Sequence, residues 1–484
     1  MPQSHIEKFA AFSAESSYED LPTNVADDSK RILLDTIGCG LAAKEIPSGT
    51  MGVNYGRILG GSSDDATIVG HSNRSSIHGA AFANAELMSA LDFHTISLPG
   101  HVSPYVIPVV LGLGESLHRS GKNLMDAIAV CHEISYRMAR TMDLTRDVTD
   151  GKSDPASVLG YSSTIFGVTA AATILKEMSV DATANALGIA ASSTQINGHR
   201  TWLTHAPTTT IKYNLMPGSQ ALRALTAAYM AELGHRGDLL MLDDVEFGYP
   251  RFIGTRRWEP SQLTTELGET WGFPSAVSFK PYPHCRVTHA VFDALIEVVR
   301  TNDIKPDEID SITAYGEAWT SRFPTFMNRN IERPYDAQFS FPHGIAIAAH
   351  LVPPGKDWQN PDNVYNPSVM ALMSRVEWKG HPDWAAAVSK DPAARPARVE
   401  VNARGTTFVG ERNYAKGSPS PEPASYFTND DVAEKFLHNA EGLMSIDDAE
   451  WVVDQVMHLE NVDDISDVLN RLRPSDGESA KITT

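Results

Sequence analysis

The stretch YSSTIFGVTAAATILKEM (161–178), followed closely by ANALGIAASST (184–194), decides the fold class of this 484-residue chain. Both segments are rich in Ala, Gly, Ser and Thr, and their larger apolar residues recur at helical spacing. Small residues at that density let helix axes approach closely, which is typical of buried helix-on-helix packing. The sequence therefore predicts a mainly α fold with these two helices buried inside it.

Helical spacing extends outward from this stretch toward both ends of the chain. The segments 29–43 (SKRILLDTIGCGLAA), 78–93 (HGAAFANAELMSALDF) and 218–234 (GSQALRALTAAYMAELG) are predicted helices, the last closed by Gly234. Two amphipathic segments, NDDVAEKFLHNAEGL and DDAEWVVDQVMHLENV, restore the pattern near the carboxyl end. We expect one large all-helical domain formed by residues 5–270 together with 416–470.

The pattern changes between these two parts. EIDSITAYGEAW (308–319) predicts a strand, and ARVEVNARGTTFVGERNYAKGSP (397–419) predicts a hairpin that turns at Arg404-Gly405. HGIAIAAHLVP (343–353) between them predicts a helix. Residues 271–415 are therefore expected to form a smaller α+β unit, and residues 471–484 a disordered tail.

The amino-acid composition of the chain limits the kinds of molecule that it is expected to bind. Lys plus Arg number 40 and Asp plus Glu number 60, so the formal net charge is −20. Such a chain repels phosphate backbones and anionic lipid, so we expect no nucleic-acid partner and no membrane partner. No secretory signal, apolar run of ~18 residues or dinucleotide-binding glycine loop is visible. Three scattered cysteines argue against disulfides and metal clusters, so the sequence predicts a cytoplasmic protein without a bound metal.

Four segments combine ionisable side chains with turn residues. An Arg grips carboxylates with two parallel hydrogen bonds, and a His can move protons near neutral pH. Basic groups concentrated in a strongly acidic chain therefore indicate a pocket for a small, multiply anionic molecule. A lone loop histidine is more often structural, which is how we interpret His94 and His284. The four segments are LDFHTISLPGHVSPYVIP (91–108) with Asp92, Thr95 and His101; SDPASVLG (153–160) with Asp154; TTTIKYNLMPGSQA (208–221) with Lys212 and Tyr213; and KPYPHCRVTH (280–289) with Lys280, Arg286 and His289.

Several of these stretches together resemble the MmgE/PrpD family. They are HGAAFANAELMSALDF, the GHVSP…VIP loop, TTTIKYNLMPGSQA, SFKPYPHCRVTHAVFDA and YAKGSPSPEPAS, with the K-x-Y-P-x-C-R-x-x-H block at 280–289 the most specific. The resemblance implies a helical domain built from both chain ends and an inserted α+β lid. It also implies a homodimer and a cofactor-free active site in the cleft between the two parts.

The resemblance carries site residues over position by position. In the first loop Asp92, Thr95 and His101 match the family pattern, as do Lys212 farther along and Lys280, Arg286 and His289 on the lid side. The chain departs from the family's decarboxylases in three places: the loop from Asp92 to His101 is one residue shorter, Asp154 stands where they have a histidine, and His343 follows FSF where they have a tyrosine.

The family's known activities share one step, the handling of a proton on carbon next to a carboxylate. Loss of that proton leaves an enolate, which needs cations nearby. We expect Lys212, Lys280 and Arg286 to supply the positive charge, and His101, with an ordinary pKa near ~6.5, to act as base or acid under the orientation of Asp92. The second proton is assigned to His289 or His343, and substrate contacts to Thr95, Asp154 and Tyr213.

The reaction itself stays open at this point. Dehydration of a 2-methylcitrate-like hydroxy-polycarboxylate is favoured, followed by epimerisation or isomerisation of a substituted succinate. Decarboxylation of a cis-aconitate-like acid comes third, because two catalytic-type positions have changed. The alternative outside enzymology is a polycarboxylate-binding protein that kept the pocket and lost turnover.

Overall fold

The structure, a computed structural model, describes residues 3–144, 146–153, 156, 158, 160–195 and 198–474. The segment predicted to be a disordered tail lies largely outside this range, since the described residues end at 474. Asp154, predicted to contact substrate, also lies outside the described residues.

Helices dominate the first 270 residues, as the small-residue stretches predict. They contact one another closely, and α7 packs against α5, α6, α8 and α10. Their bounds are α1 His5–Glu15, α2 Thr23–Ala42, α3 Pro47–Gly60, α4 Ile77–Ala90, α5 Ser103–Ser116, α6 Gly121–Thr141, α7 Thr164–Leu175, α8 Val180–Ser192, α9 His199–Leu203, α10 Pro217–Glu232, α11 Tyr249–Ile253 and α12 Ser261–Thr264.

The close approach of α6 and α7 depends on a missing side chain. A Cβ added at Gly167 in α7 would lie 2.4 Å from the carbonyl oxygen of Cys131 in α6. At the start of α7, Gln220 of α10 donates a hydrogen bond of 2.8 Å to the carbonyl of Ser162. The prediction that residues 161–178 form a buried helix is confirmed, because nearly every residue of α7 is buried.

The carboxyl-terminal part contains shorter helices and the largest sheet of the described chain. The helices are α13 His289–Thr301, α14 Pro324–Met327, α15 Phe341–Ala349, α16 Pro361–Val364, α17 Pro367–Met373, α18 Trp384–Lys390, α19 Asn429–Ala440, α20 Ile446–Met457 and α21 Ser466–Arg471. Within the described residues no helix is long and apolar enough to cross a membrane.

A four-stranded sheet lies between α13 and α19 in the chain. Numbered after two short antiparallel hairpins, β1–β2 (Ala66–Thr67, Arg74–Ser75) and β3–β4 (Val148–Thr149, Lys152–Ser153), its strands are β5 Ile309–Gly316, β6 Val376–Gly380, β7 Ala397–Ala403 and β8 Thr406–Arg412. The order is β6-β5-β7-β8, with β5 and β6 parallel and the other pairs antiparallel. Helix α13 packs on β7 and β8.

The predicted hairpin is confirmed at its turn. Residues 397–403 pair with 406–412 in register, and Arg404 and Gly405 between them have φ values of 53° and 69°. Two left-handed residues in a two-residue loop match the right-handed twist of the flanking strands. Strand β6 was not predicted from the sequence.

Helices near the carboxyl end of the described chain pack against a helix near its amino end. Helices α19 and α20 both pack against α2. The ammonium of Lys435 in α19 lies 2.7 Å from the carboxylate of Asp35 in α2, and both side chains are buried. Lys435 also donates to the backbone carbonyls of Phe93 and Lys280, at 2.7 and 2.9 Å. One lysine thus joins two distant helices and two segments that carry predicted site residues.

Candidate functional site

The predicted catalytic loop connects α4 to α5, and its backbone is held on both sides. Ile96 and Ser278 exchange two backbone hydrogen bonds, of 2.9 and 2.7 Å, so the loop pairs with the segment that leads to Lys280. Gly100 has a φ of 156°, and a Cβ there would lie 2.3 Å from the Tyr161 ring. The loop can lie against Tyr161 only because residue 100 has no side chain.

Asp92 and Lys280 form a buried ion pair. Their charged atoms are 2.7 Å apart, each side chain is 1% exposed, and Lys280 also donates to the backbone carbonyl of Asp92. Burial alone would raise the pKa of Asp92, but the ammonium groups of Lys280 and Lys212 lower it below its ordinary value. Asp92 has a φ of 50°, a left-handed conformation that aspartate tolerates better than most residues. Because its pKa is lowered, Asp92 is a carboxylate at neutral pH.

Lys212 approaches the same carboxylate from another element. It begins a short turn before α10, and its ammonium donates to the carbonyl oxygens of Ser89 and Ala90, the latter at 3.0 Å. These carbonyls end α4, where the helix dipole favours a cation. Burial lowers the pKa of Lys212 to about 8. The side chain is therefore charged at neutral pH but can lose a proton at a modest cost.

His101 lies in a cage of aromatic rings. It stacks on Tyr213 at 4.9 Å and meets Tyr161 edge-on at 5.0 Å between ring centroids. Its Nδ1 is 2.6 Å from Nε2 of His94, whose Nδ1 lies 3.1 Å from the carbonyl oxygen of Met88. Burial lowers the pKa of His101 to about 3, far from the value near ~6.5 assumed from the sequence. The ring is therefore neutral at physiological pH.

Arg286 lies in the short turn before α13, and His289 is the first residue of α13. Arg286 donates to the carbonyl of Lys416 at 3.1 Å and to the hydroxyl of Ser418 at 2.6 Å. Nε2 of His289 is 3.0 Å from the carbonyl of His284. The buried Nε of Arg286 and Nδ1 of His289 have no hydrogen-bond partner among the described residues. A bound ligand or an ordered water could supply the missing partners of these two atoms.

The structure brings some of the predicted site residues together and leaves others apart. Asp92, His101, Lys212, Tyr213 and Lys280 form one buried group, in which the Tyr213 hydroxyl lies 3.4 Å from an Asp92 oxygen.

Two of the predicted residues point elsewhere. Thr95 donates its hydroxyl and its amide to Asp35, at 2.6 and 2.8 Å. His343 places Nε2 3.0 Å from the carbonyl of Val364, within the second half of the chain.

Sequence reasoning missed three members of the site. His94 was interpreted as a structural bystander, yet it contacts His101 directly. Asp35 and Lys435 were not singled out, although they support the loop and the Lys280 backbone. An acidic residue inside the apolar stretch RILLDTIGCGLAA was the one available signal, because a buried carboxylate needs a partner.

Asp92, His94 and His101 also form the candidate metal cluster of the described chain, with one ligand atom of each within 4.8 Å of the others. Their geometry suits a hydrogen bond between the two rings better than a bound ion. The facing nitrogens of the two histidines are 2.6 Å apart, whereas two imidazoles on one tetrahedral zinc would hold them about 3.3 Å apart. Lys280 already neutralises Asp92. The predicted independence from metal stays a prediction.

A cavity of about 430 Å³ lies next to Lys212. Its polar lining includes Glu86, Ser89 and Ser219, and burial raises the pKa of Glu86 to about 7. Glu86 also accepts a hydrogen bond of 2.8 Å from the amide of Gly218 at the start of α10. The cavity provides space beside one of the site's cations.

Comparison with known proteins gives consistent matches over nearly the whole chain. Residues 7–261 match the MmgE/PrpD N-terminal domain, and residues 282–459 match the MmgE/PrpD C-terminal domain. The chain is 28% identical to the cis-aconitate decarboxylase of Homo sapiens, covering 99% of this chain and 97% of that protein. It is 27% identical to the Mus musculus enzyme, covering 98% and 94%, and 26% identical to a cis-aconitate decarboxylase-like protein of Aspergillus oryzae, covering 52% and 53%.

Proposed function

Because the chain belongs to the MmgE/PrpD family, we propose that it is a lyase that acts on a small polycarboxylate without metal or cofactor. The observation that carries the proposal is the buried group in which a neutral histidine, His101, lies beside the Asp92–Lys280 ion pair. A neutral imidazole can accept a proton, and a fixed ammonium can stabilise the anion that results.

The first step is removal of a proton from the carbon next to a substrate carboxylate. His101 is the proposed base, because burial keeps its ring neutral and the aromatic cage of Tyr161 and Tyr213 fixes its plane. The negative charge that develops on the substrate carboxylate is stabilised by Lys280 and Lys212. Both ammonium groups are already desolvated, so their attraction for an anion is stronger than in water.

Arg286 is proposed to hold a second carboxylate of the substrate. Its Nε lacks a partner among the described residues, and a guanidinium edge binds carboxylate with two parallel hydrogen bonds. His289, three residues further along the chain, is also buried, and its unpartnered Nδ1 is proposed to contact the same end of the substrate.

Loss of a hydroxyl group requires a proton donor. Lys212 is the proposed donor, since its pKa of about 8 keeps it protonated at neutral pH while leaving the proton transferable. We assign no role to His343, because its ring nitrogen is bound to the carbonyl of Val364. A base and a separate acid on one substrate are what dehydration of a 2-methylcitrate-like acid needs, and this reaction is the one we favour.

Decarboxylation of a cis-aconitate-like acid is the second candidate. The observation in its favour is the similarity to the human and mouse cis-aconitate decarboxylases over almost their full lengths. Epimerisation of a substituted succinate is the third, because it would need only proton removal and return.

The deciding experiment is proton NMR in deuterated water with a panel of acids. We would incubate the protein with 2-methylcitrate, citrate, cis-aconitate and a substituted succinate, with and without a strong chelator. Conversion of a hydroxy acid into an unsaturated acid supports the first candidate, and conversion of cis-aconitate into an acid with one carboxylate fewer supports the second. Deuterium uptake without net conversion supports the third. No turnover of any acid, or turnover that the chelator abolishes, would contradict the proposal.

We also propose that the protein is a cytoplasmic homodimer in which one face of α3 is covered by a second copy. Met51, Tyr55 and Ile58 recur on that face at helical spacing, and they are 55%, 46% and 75% exposed. Light scattering after size exclusion should give twice the chain mass, and Tyr55→Lys together with Ile58→Lys should shift it toward the monomer. A monomer at all concentrations of the unaltered protein would refute this assembly.

A further inference from the structure

We propose that His94 is a positioning residue which fixes the tautomer of His101, so that Nε2 of His101 carries the lone pair that accepts the substrate proton. The inference rests on the proposed function for its chemical meaning. The structural part of it, the tautomer, can be measured whether or not turnover is found.

The argument starts at the carbonyl oxygen of Met88. A carbonyl can only accept a hydrogen bond, so Nδ1 of His94, 3.1 Å away, must carry a proton and donate it. A neutral imidazole has one N–H and one lone pair. Nε2 of His94 is therefore an acceptor.

The second step passes this constraint to His101. Its Nδ1 lies 2.6 Å from the acceptor Nε2 of His94, so Nδ1 of His101 must be the donor. The remaining nitrogen of His101, Nε2, is then left without a proton. The chain of bonds runs from His101 to His94 to Met88, and each link permits one direction only.

Both rings must be neutral for this reasoning to hold, and their surroundings enforce it. His94 is 1% exposed and His101 6% exposed. The charged groups that act on them are the ammonium groups of Lys280, Lys212 and, on His94, Lys435, opposed at His101 by the carboxylate of Asp92. An imidazolium here would lie in a dry site with an excess of cations.

Asp92 is not placed to orient His101 as the sequence suggested. Its carboxylate is bound by Lys280 at 2.7 Å and lies 3.4 Å from the Tyr213 hydroxyl, and the described hydrogen bonds include none from Asp92 to the His101 ring. The orienting contact comes from His94 instead. His94 lies in the loop that is one residue shorter than in the family's decarboxylases, so the arrangement belongs to this shortened loop.

The test compares His94→Gln with His94→Leu. A glutamine can accept from His101 Nδ1–H with its carbonyl oxygen and donate to Met88 with its amide, whereas leucine can do neither. In ¹⁵N-histidine-labelled protein, NMR should show His101 with its proton on Nδ1 in the unaltered protein and in the glutamine variant. The leucine variant should lose this fixed tautomer.

Rates provide the second readout. We expect His94→Gln to keep the rate within about tenfold and His94→Leu to lower kcat about 10²-fold or more, with little change in KM, since a base in the wrong tautomer cannot accept the proton. His132→Leu is the matched control, because it removes another buried histidine bonded to a backbone carbonyl, that of Ile128, away from the site. It should leave the His101 signals and kcat unchanged.

Three results would overturn the inference: a proton on Nε2 of His101 in the unaltered protein, an unchanged His101 tautomer in a folded leucine variant, or equal rate losses in the glutamine and leucine variants. If the leucine variant does not fold, the first result still decides, and so does loss of the fixed His101 tautomer in the glutamine variant. A fixed Nδ1–H tautomer in a protein that turns over none of the acids would refute the proposed function and leave the positioning role of His94 intact.

Discussion

At the scale of single residues, His101 is the group whose loss should matter most. We expect His101→Gln and His101→Ala to lower kcat/KM by roughly 10²–10⁴-fold without unfolding the protein, because the proton acceptor is gone. Deuterium wash-in at the substrate carbon should fall in parallel. His350→Gln is the control, since that histidine is bonded to Ala346 and Ser368 outside the site. Normal deuterium exchange in both His101 variants would move the base to another residue.

Arg286 offers a test of carboxylate binding. We expect Arg286→Ala to cost about 2–4 kcal/mol in kcat/KM, since charge-assisted contacts in a buried site are strong. Arg286→Lys should recover little, because a single ammonium cannot form the two parallel bonds of a guanidinium. Steady-state kinetics on the substrate found by NMR would measure both. An alanine variant with nearly normal kcat/KM would place the anion site elsewhere.

The Asp92–Lys280 pair should reveal itself through a double substitution. Lys280→Met leaves a buried carboxylate without its partner and should lower the free energy of unfolding by about 3–5 kcal/mol. Adding Asp92→Asn should restore much of that loss, while activity stays absent in both proteins. Urea unfolding monitored by circular dichroism gives the comparison. If the double variant is no more stable than Lys280→Met alone, the pair is not the source of the effect.

The residue types of the site were predictable, and their pairings were not. Asp92, His101, Lys212 and Lys280 stand out as ionisable groups beside turns, and the structure brings them together. No local pattern shows that Lys280 meets a carboxylate 188 positions away, or that Lys435 meets one 400 positions away. Burial was equally invisible, which is why the sequence placed the pKa of His101 near ~6.5 rather than about 3.

At the scale of helices and strands, the contact between α6 and α7 makes a sharp prediction. Gly167→Ala should destabilise the protein by roughly 1–3 kcal/mol, because its Cβ would meet the Cys131 carbonyl at 2.4 Å. Gly112→Ala in α5 is the matched control, since the nearest atom there is 3.5 Å away. Alanine is the better helix former, so this variant should be neutral or slightly stabilised. Equal urea midpoints for the two variants would contradict the packing argument.

The elements that were predicted correctly are those with a strong local pattern. Helix α7 has its density of small residues, and the β7–β8 hairpin has alternating residues around Arg404-Gly405. Strand β6 has only five residues and pairs in parallel with β5, more than 60 positions earlier in the chain. A segment this short becomes a strand because of its neighbour, and a local pattern cannot show that. The domain boundaries near residues 270 and 416 stay a prediction.

For the whole molecule, buried neutral histidines should govern the response to acid. Burial lowers the pKa of His132 to about 4 and those of His101, His199 and His284 to about 3, against ~6.5 in the unfolded chain. Below pH 6.5 the unfolded state therefore binds more protons than the folded state. Above pH 6.5 both states hold these rings neutral and the full stability is present. As the pH falls from 6.5 toward 3, protonation of the unfolded chain lowers the free energy of unfolding.

We expect the free energy of unfolding to fall by about 1 kcal/mol per pH unit for each such histidine below pH 6. Glu86 and Asp126, whose pKa values burial raises to about 7 and about 6, act in the opposite direction, as do Asp28 and Asp293 with raised pKa values, but the buried histidines outnumber them. Urea unfolding at a series of pH values would measure how steeply the free energy of unfolding depends on pH. His132→Asn should lower that slope by the contribution of one histidine. A stability that stays constant from pH 6.5 to 4.5 would contradict the burial of neutral rings.

Lys435, which joins α19 to α2, also constrains when the chain can fold during its synthesis. A ribosome makes Asp35, Phe93 and Lys280 long before it reaches Lys435, so a nascent chain that folded early would enclose a carboxylate with no cation beside it. The growing polypeptide should therefore hold this region open until Lys435 has left the ribosome. A chain truncated before Lys435 should therefore fail to close this region and be degraded, rather than fold with one contact missing.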